Sequence, residues 1–145
     1  PQGVGGSCIV RRMRELADAL EVDRLIAGLA SRIAADVTAG DWALVGIRRR
    51  GDLLAARLAD RLRAETAPDR FRGVGSLDIT LYRDDLSEMG ARAVVRTTEI
   101  PFNIDGLDLV LVDDVLMSGR SVRAALQQLV DLGRPRRVWL AVLVD

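Results

Sequence analysis

Apolar residues recur every three or four positions through residues 11–37, which is the spacing of an amphipathic helix. The pattern predicts either one helix or two, with the break between two helices falling at Val22 and Asp23. Gly40 and Asp41 then end the helical pattern. The glycine-rich residues 1–10 carry no comparable pattern, so we expect them to form a mobile lead-in.

Three later runs are apolar without polar alternation, as is typical of strands that are buried on both faces of a parallel sheet. They are residues 42–47, 107–112 and 138–144. A polar turn and a helical pattern follow each of the first two runs, one helix carrying Leu53, Leu54, Leu58 and Leu62 and the other covering residues 122–130 before Gly133. Repeated strand–turn–helix units predict an open, mainly parallel α/β sheet with helices packed on it.

The stretch between the first and second units has a different pattern. Residues 66–75 contain Pro68 and two glycines and are predicted to be a loop. Residues 76–81 alternate as a strand, residues 84–92 are charged, and residues 94–100 resemble a returning strand. These features predict an antiparallel hairpin that carries a mobile loop.

Composition narrows the chemistry. The chain has 145 residues, 49% of them hydrophobic, which suits one domain with a substantial core. Its net charge is zero and all 21 basic residues are Arg, so histidine triads, histidine metal sites, Schiff-base lysines and the lysine of P-loop enzymes are excluded. A single cysteine, Cys8, can form neither an intrachain disulfide nor a thiolate zinc site.

Other features indicate the setting. Only 3% of the residues are aromatic, which argues against binding of single-stranded nucleic acid by base stacking. No apolar run reaches the roughly 18 residues of a membrane span, and no secretory signal is visible. We therefore expect a cytoplasmic protein without a membrane partner.

The most informative segment is LVLVDDVLMSGRS, residues 109–121, where two carboxylates leave a buried strand and a Ser-Gly-x-Ser turn opens a helix. Ligands of open α/β sheets bind at such strand ends. The free N–H groups around residues 117–122 and the helix dipole favour binding of a phosphate. Gly119 has no side chain, so a phosphate could come close to the backbone there. The acid pair suits sugar hydroxyls instead. The alternative is that the Asp and Ser residues only cap the helix.

This segment resembles the phosphoribosyl-pyrophosphate (PRPP) loop of type I phosphoribosyltransferases. Together with VGIRRRG (45–51), LDITLYRDDLS (77–87) and LVDLGRPRRVWLAVLVD (129–145), it resembles the family of bifunctional pyrimidine operon attenuation regulators and uracil phosphoribosyltransferases. The resemblance covers about residues 26–145. It implies a single-domain type I fold that makes uridine monophosphate (UMP) and pyrophosphate from uracil and PRPP.

The resemblance also assigns site residues. It implies that Asp113 and Asp114 hold the ribose, with Asp114 also stabilising positive charge on the sugar, and that Arg83 approaches the pyrophosphate. The 5′-phosphate turn would comprise Val115, Leu116, Met117, Ser118, Gly119, Arg120 and Ser121. The pyrophosphate loop would comprise Arg48, Arg49, Arg50 and Gly51, with a cis non-proline peptide bond. Three adjacent arginines could alternatively be a solvated cluster. Mg²⁺ would be held mainly by PRPP, with no direct protein ligand.

The second activity that the resemblance implies is binding to pyrimidine-operon leader RNA, here through Ser31 and Arg32, with Arg123, Arg134, Arg136 and Arg137 as further candidates. The family also implies a homodimer or higher oligomer, and a base-capping hood after residue 145. We therefore expect the natural chain to continue. Two alternatives stay open: a nucleotide-sensing RNA-binding attenuation protein with little catalysis, and a type I transferase for another base.

Overall fold

A four-stranded parallel sheet organises residues 17–80 and 98–145, the parts of the chain that the computed structural model describes. The elements are α1 (Ala19–Asp36), β1 (Trp42–Ile47), α2 (Gly51–Glu65), a 3-10 turn (Pro68–Arg70), β2 (Phe71–Leu77), β3 (Asp108–Val115), α3 (Arg120–Leu132) and β4 (Arg137–Val144). The predicted α/β class, with its mainly parallel sheet, is confirmed.

The strand order is β2-β1-β3-β4, so the two apolar runs that carry the candidate loops form the centre of the sheet. All six residues of β1 and the first six of β3 are buried. The third run, β4, was predicted to be buried on both faces, and this is wrong: in β4 only Ala141 is buried. Its single described strand neighbour is β3, because it lies at the edge of the sheet.

The helices cover both faces of the sheet. Helices α1 and α2 pack on one face, where Ile26, Leu58 and Leu62 meet Trp42 and Val110 in one apolar cluster. Helix α3 packs on the other face through Ala124, Ala125 and Leu129 against Val45, Leu109 and Leu111. Burial on both faces explains why β1 and β3 lack polar alternation.

Helix α1 is continuous, so the alternative with a break at Val22–Asp23 is wrong. The helix starts after Asp18, whose carboxylate accepts a hydrogen bond from the N–H of Glu21 at 2.8 Å. Asp23 lies within the helix and binds Arg57 and Arg61 of α2 at 3.3 and 2.6 Å. The hydrogen bond from Arg61 is the main reason that the pKa of Asp23 is lowered. The predicted lead-in lies outside the described residues.

Within residues 66–81, the strand starts earlier than the sequence pattern predicted. Strand β2 begins at Phe71, five residues ahead of the predicted strand, and includes Gly73 and Gly75, which had suggested a loop. Gly75 lies in a crowded position, because a Cβ there would be 3.0 Å from the Ile100 side chain and 3.2 Å from the Glu99 carbonyl oxygen. Ser76 and Glu99 form one antiparallel bridge. Residues 81–97 of the predicted hairpin, including Arg83, lie outside the described residues.

Candidate active site

The turns after β1 and β3 lie side by side, because these strands are parallel neighbours in the sheet. The approach is close enough to require glycine: a Cβ on Gly51 would be 2.4 Å from the Val112 carbonyl oxygen. A Cβ on Gly46 would likewise be 2.4 Å from the Cα of Asp52. The two glycines therefore let the start of α2 settle against both central strands.

Asp113 and Asp114 end β3 in different surroundings. Asp113 is buried, with 7% of its surface exposed, and its Oδ1 accepts the N–H of Asp114 at 2.9 Å. Burial raises the pKa of Asp113 to about 6; the charge of Asp114 adds to the rise, and the Asp114 N–H opposes it. Asp114 is half-buried and accepts the N–H of Val115 at 3.0 Å. Each of these two carboxylates therefore accepts the N–H of the next residue, and neither of these two hydrogen bonds involves a residue of α3.

The turn that follows the acid pair is open. Met117 is 90% exposed, Ser118 is exposed, and a Cβ on Gly119 would meet no atom within 4 Å. Gly119 has φ +74°, a conformation that favours glycine, and caps α3 without any side-chain hydrogen bond. The capping alternative is therefore wrong for this helix. The N–H groups of residues 120–122 have no partner within the helix, as at any helix start.

One amide of the predicted phosphate turn is already used. The N–H of Leu116 donates to the carbonyl oxygen of Val144 at 2.8 Å, which ties the turn to β4. The amides left for an anion are those closer to the start of α3.

The loop of three arginines has the cis peptide bond that the resemblance implied, between Arg48 and Arg49. Arg50 has φ +63°, and the N–H of Gly51 donates to the Arg49 carbonyl oxygen at 2.6 Å. Arg49 and Arg50 are exposed. The Nη1 atom of Arg50 lies 3.3 Å from Oδ2 of Asp114, so this ion pair joins the two candidate loops.

Arg48 differs from its two neighbours in its surroundings. Its side chain contacts Ser76 and Glu99. Sequence reasoning did not single out Ser76 or Glu99, since contacts between residues about 28 and 51 positions apart leave no local pattern.

The candidate RNA residues belong to α1 and to neither of these loops. Ser31 is exposed and donates to Glu65 of α2 at 3.3 Å. Arg32 is exposed and lines a cleft of about 330 Å³ between α1 and β4, together with Asp36 and Trp139.

Among the further candidate arginines, Arg136 and Arg134 have hydrogen-bond partners within the fold. Arg136 donates to both carboxylate oxygens of the buried Asp108, at 2.9 and 2.7 Å, and to the Ala39 carbonyl oxygen. The hydrogen bond from Arg136 lowers the pKa of Asp108. Arg134 donates to carbonyl oxygens at the end of α3. Arg136 therefore has a structural role in this chain.

The described residues contain no cluster of three or more His, Cys, Asp and Glu side chains able to hold a metal ion. Nor does any helix among them have the length and apolarity that crossing a membrane requires.

Comparison with known proteins defines the class first. Residues 13–145 match the model of the phosphoribosyl transferase domain family. A hypoxanthine phosphoribosyltransferase from Staphylococcus aureus superposes with a TM-score of 0.66 over 89% of this chain and 65% of its own, at 14% identity. A purine phosphoribosyltransferase from Pyrococcus horikoshii gives 0.63 over 87% and 74%, at 23% identity. The chain has the type I phosphoribosyltransferase fold.

Sequence relatives then give the particular family. The bifunctional protein PyrR of Pelotomaculum thermopropionicum is 49% identical over 140 residues, covering 91% of this chain and 74% of the relative. PyrR of Thermus thermophilus is 52% identical over 141 residues, covering 94% and 75%. The chain belongs to the PyrR family, and the resemblance drawn from its motifs is confirmed.

Proposed function

We propose that this protein transfers a phosphoribosyl group from PRPP to uracil, producing UMP and pyrophosphate, and that it couples this activity to pyrimidine-operon regulation. The observation that carries the proposal is the meeting of the two loops at Asp114. An open turn suited to phosphate lies on one side of this carboxylate, and a loop with two exposed arginines lies on the other.

The ribose 5-phosphate part of PRPP would bind at the carboxyl end of β3. Amides at the start of α3, with the hydroxyls of Ser118 and Ser121, would donate to the 5′-phosphate, helped by the helix dipole. Asp113 and Asp114 have oxygens available to accept from the ribose hydroxyls. The carboxylates precede the amides in the chain, so the groups that accept from the ribose lie next to the groups that donate to the phosphate.

The diphosphate part would bind at residues 49–51. Arg49 and Arg50 are exposed cations, and the guanidinium group matches phosphate oxygens with paired donors. Since Arg50 pairs with Asp114 at 3.3 Å, a small side-chain movement would exchange that carboxylate for a diphosphate oxygen. This exchange would free Asp114 to face the sugar.

The paired carboxylates of Asp113 and Asp114 make this edge of the sheet electrostatically favourable for Mg²⁺ without requiring that they coordinate it directly. We propose that it binds mainly through PRPP oxygens and that, when bound, it neutralises charge on the departing diphosphate. The chain itself contributes Arg49 and Arg50 to the same charge and keeps the carboxylates for the ribose.

In the reaction, the C1–O bond to diphosphate breaks with its electron pair leaving on the diphosphate. A bond from C1 to a uracil nitrogen forms, and the proton of that nitrogen passes to the diphosphate or to solvent. Positive charge develops on the sugar ring as the diphosphate leaves. The fixed carboxylate of Asp114 would stabilise that charge without having to reorganise, which lowers the barrier electrostatically. Asp114 and Arg83 are the residues to which we assign catalytic roles, Arg83 by resemblance.

RNA binding is the second part of the proposal. It is supported by family membership and by the exposure of Ser31 and Arg32 on α1, which leaves both able to meet a phosphate backbone. We propose leader RNA of a pyrimidine operon as the partner, and a homodimer or higher oligomer as the working assembly.

The experiment is a product assay with Mg²⁺, PRPP and a panel of bases, for the wild type and for Asp114→Asn. Among the bases, we expect only uracil to give product, as UMP and pyrophosphate. The rate of this transfer should fall about 100-fold or more in the variant. Product from hypoxanthine or orotate instead would support a different base. Absence of turnover together with nucleotide-dependent gel shifts of leader RNA would support a regulator without catalysis.

A further inference from the structure

We propose that Arg48 is a positioning residue, which fixes the loop at residues 48–51 against two other chain segments and does not itself bind diphosphate. The proposal rests on the proposed function of that loop. It goes further by separating Arg48 from its neighbours Arg49 and Arg50 and by assigning Ser76 and Glu99 to the support of the site.

The side chain of Arg48 is committed to partners within the fold. It is 19% exposed, its Nε donates to Ser76 Oγ at 3.0 Å, and its Nη2 lies 3.4 Å from Oε2 of Glu99. A third oxygen, Oδ2 of Asp52, lies 3.8 Å from Nε, which is close enough for a favourable charge interaction but too far for a hydrogen bond. The guanidinium therefore lies among two carboxylates and a hydroxyl.

This environment is unsuited to diphosphate. An anion approaching Arg48 would have to displace Glu99 and would lie near Asp52, where like charges repel. Arg49 and Arg50 are exposed instead, and Arg50 already faces the carboxylate at the end of β3. The three arginines thus divide into one internal cation and two cations available to a ligand.

The backbone reinforces the same junction. The Arg48 N–H donates to the Leu77 carbonyl oxygen at 2.9 Å, next to the side-chain bond to Ser76. Ser76 and Glu99 exchange both backbone hydrogen bonds, at 2.7 and 2.8 Å. One residue therefore joins the end of β1, the end of β2 and the chain at Glu99.

Such a junction matters because the next three residues of the loop are narrowly constrained. Gly51 sits where a Cβ would be 2.4 Å from Val112, and Arg50 must reach Asp114. A loop that shifts by about 1 Å loses the alignment on which transfer depends, at a cost of up to about 100-fold in rate.

A double-mutant cycle separates a positioning residue from a ligand, using Arg48→Gln, Glu99→Gln and the double variant. If Arg48 positions the loop through its partners, each single variant should lower kcat about tenfold, and the double variant should be little worse than either single variant. Arg48→Lys should recover little, because Lys cannot replace both the Nε and Nη2 contacts. Arg63→Gln, which breaks an exposed ion pair with Asp60 on α2, is the matched control and should retain wild-type kcat.

Pyrophosphate binding supplies the contrast. By isothermal titration with Mg²⁺ and pyrophosphate, Glu99→Gln and Arg48→Gln should weaken binding equally. A direct ligand would give a large loss in Arg48→Gln and none in Glu99→Gln, with additive effects in the double variant, and that result would overturn the proposal.

Hydrogen exchange gives a readout that is independent of turnover. Amides of residues 49–52 should exchange faster in Glu99→Gln and Arg48→Gln than in the wild type, with the amides of β3 unchanged. Unchanged exchange in the loop would refute the proposal even if the wild type proved inactive toward uracil. An inactive wild type with faster exchange in the variants would instead reject the proposed function and keep the positioning role.

Discussion

Asp113→Asn should make the unliganded protein more stable and abolish its stabilisation by PRPP. The residue is buried, and its pKa of about 6 lies roughly two pH units above that of an unfolded aspartate. At about 1.4 kcal/mol per unit, keeping this carboxylate ionised in the folded protein costs about 3 kcal/mol as an upper limit. Asparagine removes the charge and keeps an oxygen that can accept the N–H of Asp114.

We therefore expect a gain of about 1–3 kcal/mol at pH 8, or a rise in Tm of roughly 3–9 °C. The sign follows from linkage: a raised folded pKa means that stability from this group is fully present below about pH 4 and is lost as the pH rises through about 6. The advantage of the variant should consequently be largest at pH 8 and should vanish near pH 4.

The stabilisation that PRPP gives should be smaller in Asp113→Asn than in the wild type. Wild-type protein with Mg²⁺ and PRPP at about 100 times Kd gains about 2.7 kcal/mol, whereas the variant lacks one carboxylate for the ribose hydroxyls and should show no shift. Differential scanning calorimetry at pH 4, 6 and 8, with and without PRPP, measures both effects.

Asp108→Asn is the matched control because Asp108 is buried in the same strand. Its pKa is lowered by Arg136, so its stabilising contribution is present above about pH 4 and is lost on acidification. This variant should be less stable than the wild type at pH 8 and should keep its PRPP shift. An Asp113→Asn protein that melts below the wild type at pH 8, or that keeps the full PRPP shift, would refute the reasoning.

Three further outcomes follow from the same geometry. Arg50→Gln should lower kcat/KM for PRPP by about 10- to 100-fold, as expected for loss of charged hydrogen bonds. It should change the free energy of unfolding by less than about 1 kcal/mol, because the pair with Asp114 is exposed on the arginine side. An unchanged kcat/KM would show that Arg50 is not part of the site. Gly51→Ala should destabilise the fold by about 1–3 kcal/mol in urea titrations, since its Cβ would be 2.4 Å from the Val112 oxygen. The control is Gly28→Ala in α1, where a Cβ would have nothing within 4 Å and the change should be neutral or stabilising. Equal effects of the two substitutions would contradict the close approach of Gly51 to Val112. The value of kcat/KM for PRPP should fall as the pH drops below about 6 and Asp113 takes up a proton; a flat profile down to pH 5, once titration of the PRPP phosphates is subtracted, would argue against an ionised Asp113.

The central strands and the loops after them were predictable from sequence because local rules determine them. A strand buried on both faces needs a continuous apolar run, and both β1 and β3 have one. The open turn at Gly119 follows from a local sequence of small and polar residues at a helix start. Family motifs then supplied the roles that chemistry alone left open.

The errors arose where tertiary contacts decide the outcome. Strand β2 contains two glycines that indicate a loop, yet it forms because β1 supplies its hydrogen bonds and residues 99–100 crowd Gly75. Strand β4 is as apolar as a central strand but lies at the edge, and nothing within its own eight residues records that position. The partners of Arg48, Ser76 and Glu99, could not be predicted because they are distant from it in sequence.

The central claim is that the turn after the paired aspartates, with the arginine loop beside it, holds the phosphates of PRPP. Amide chemical shifts, followed by two-dimensional NMR during titration with PRPP and Mg²⁺, test it at single-residue resolution. We expect the largest shifts at residues 117–122 and 49–51, and little change at the opposite edge near Asp41 and Asp108. Saturable shifts confined to other parts of the molecule, or none at millimolar PRPP, would contradict the account.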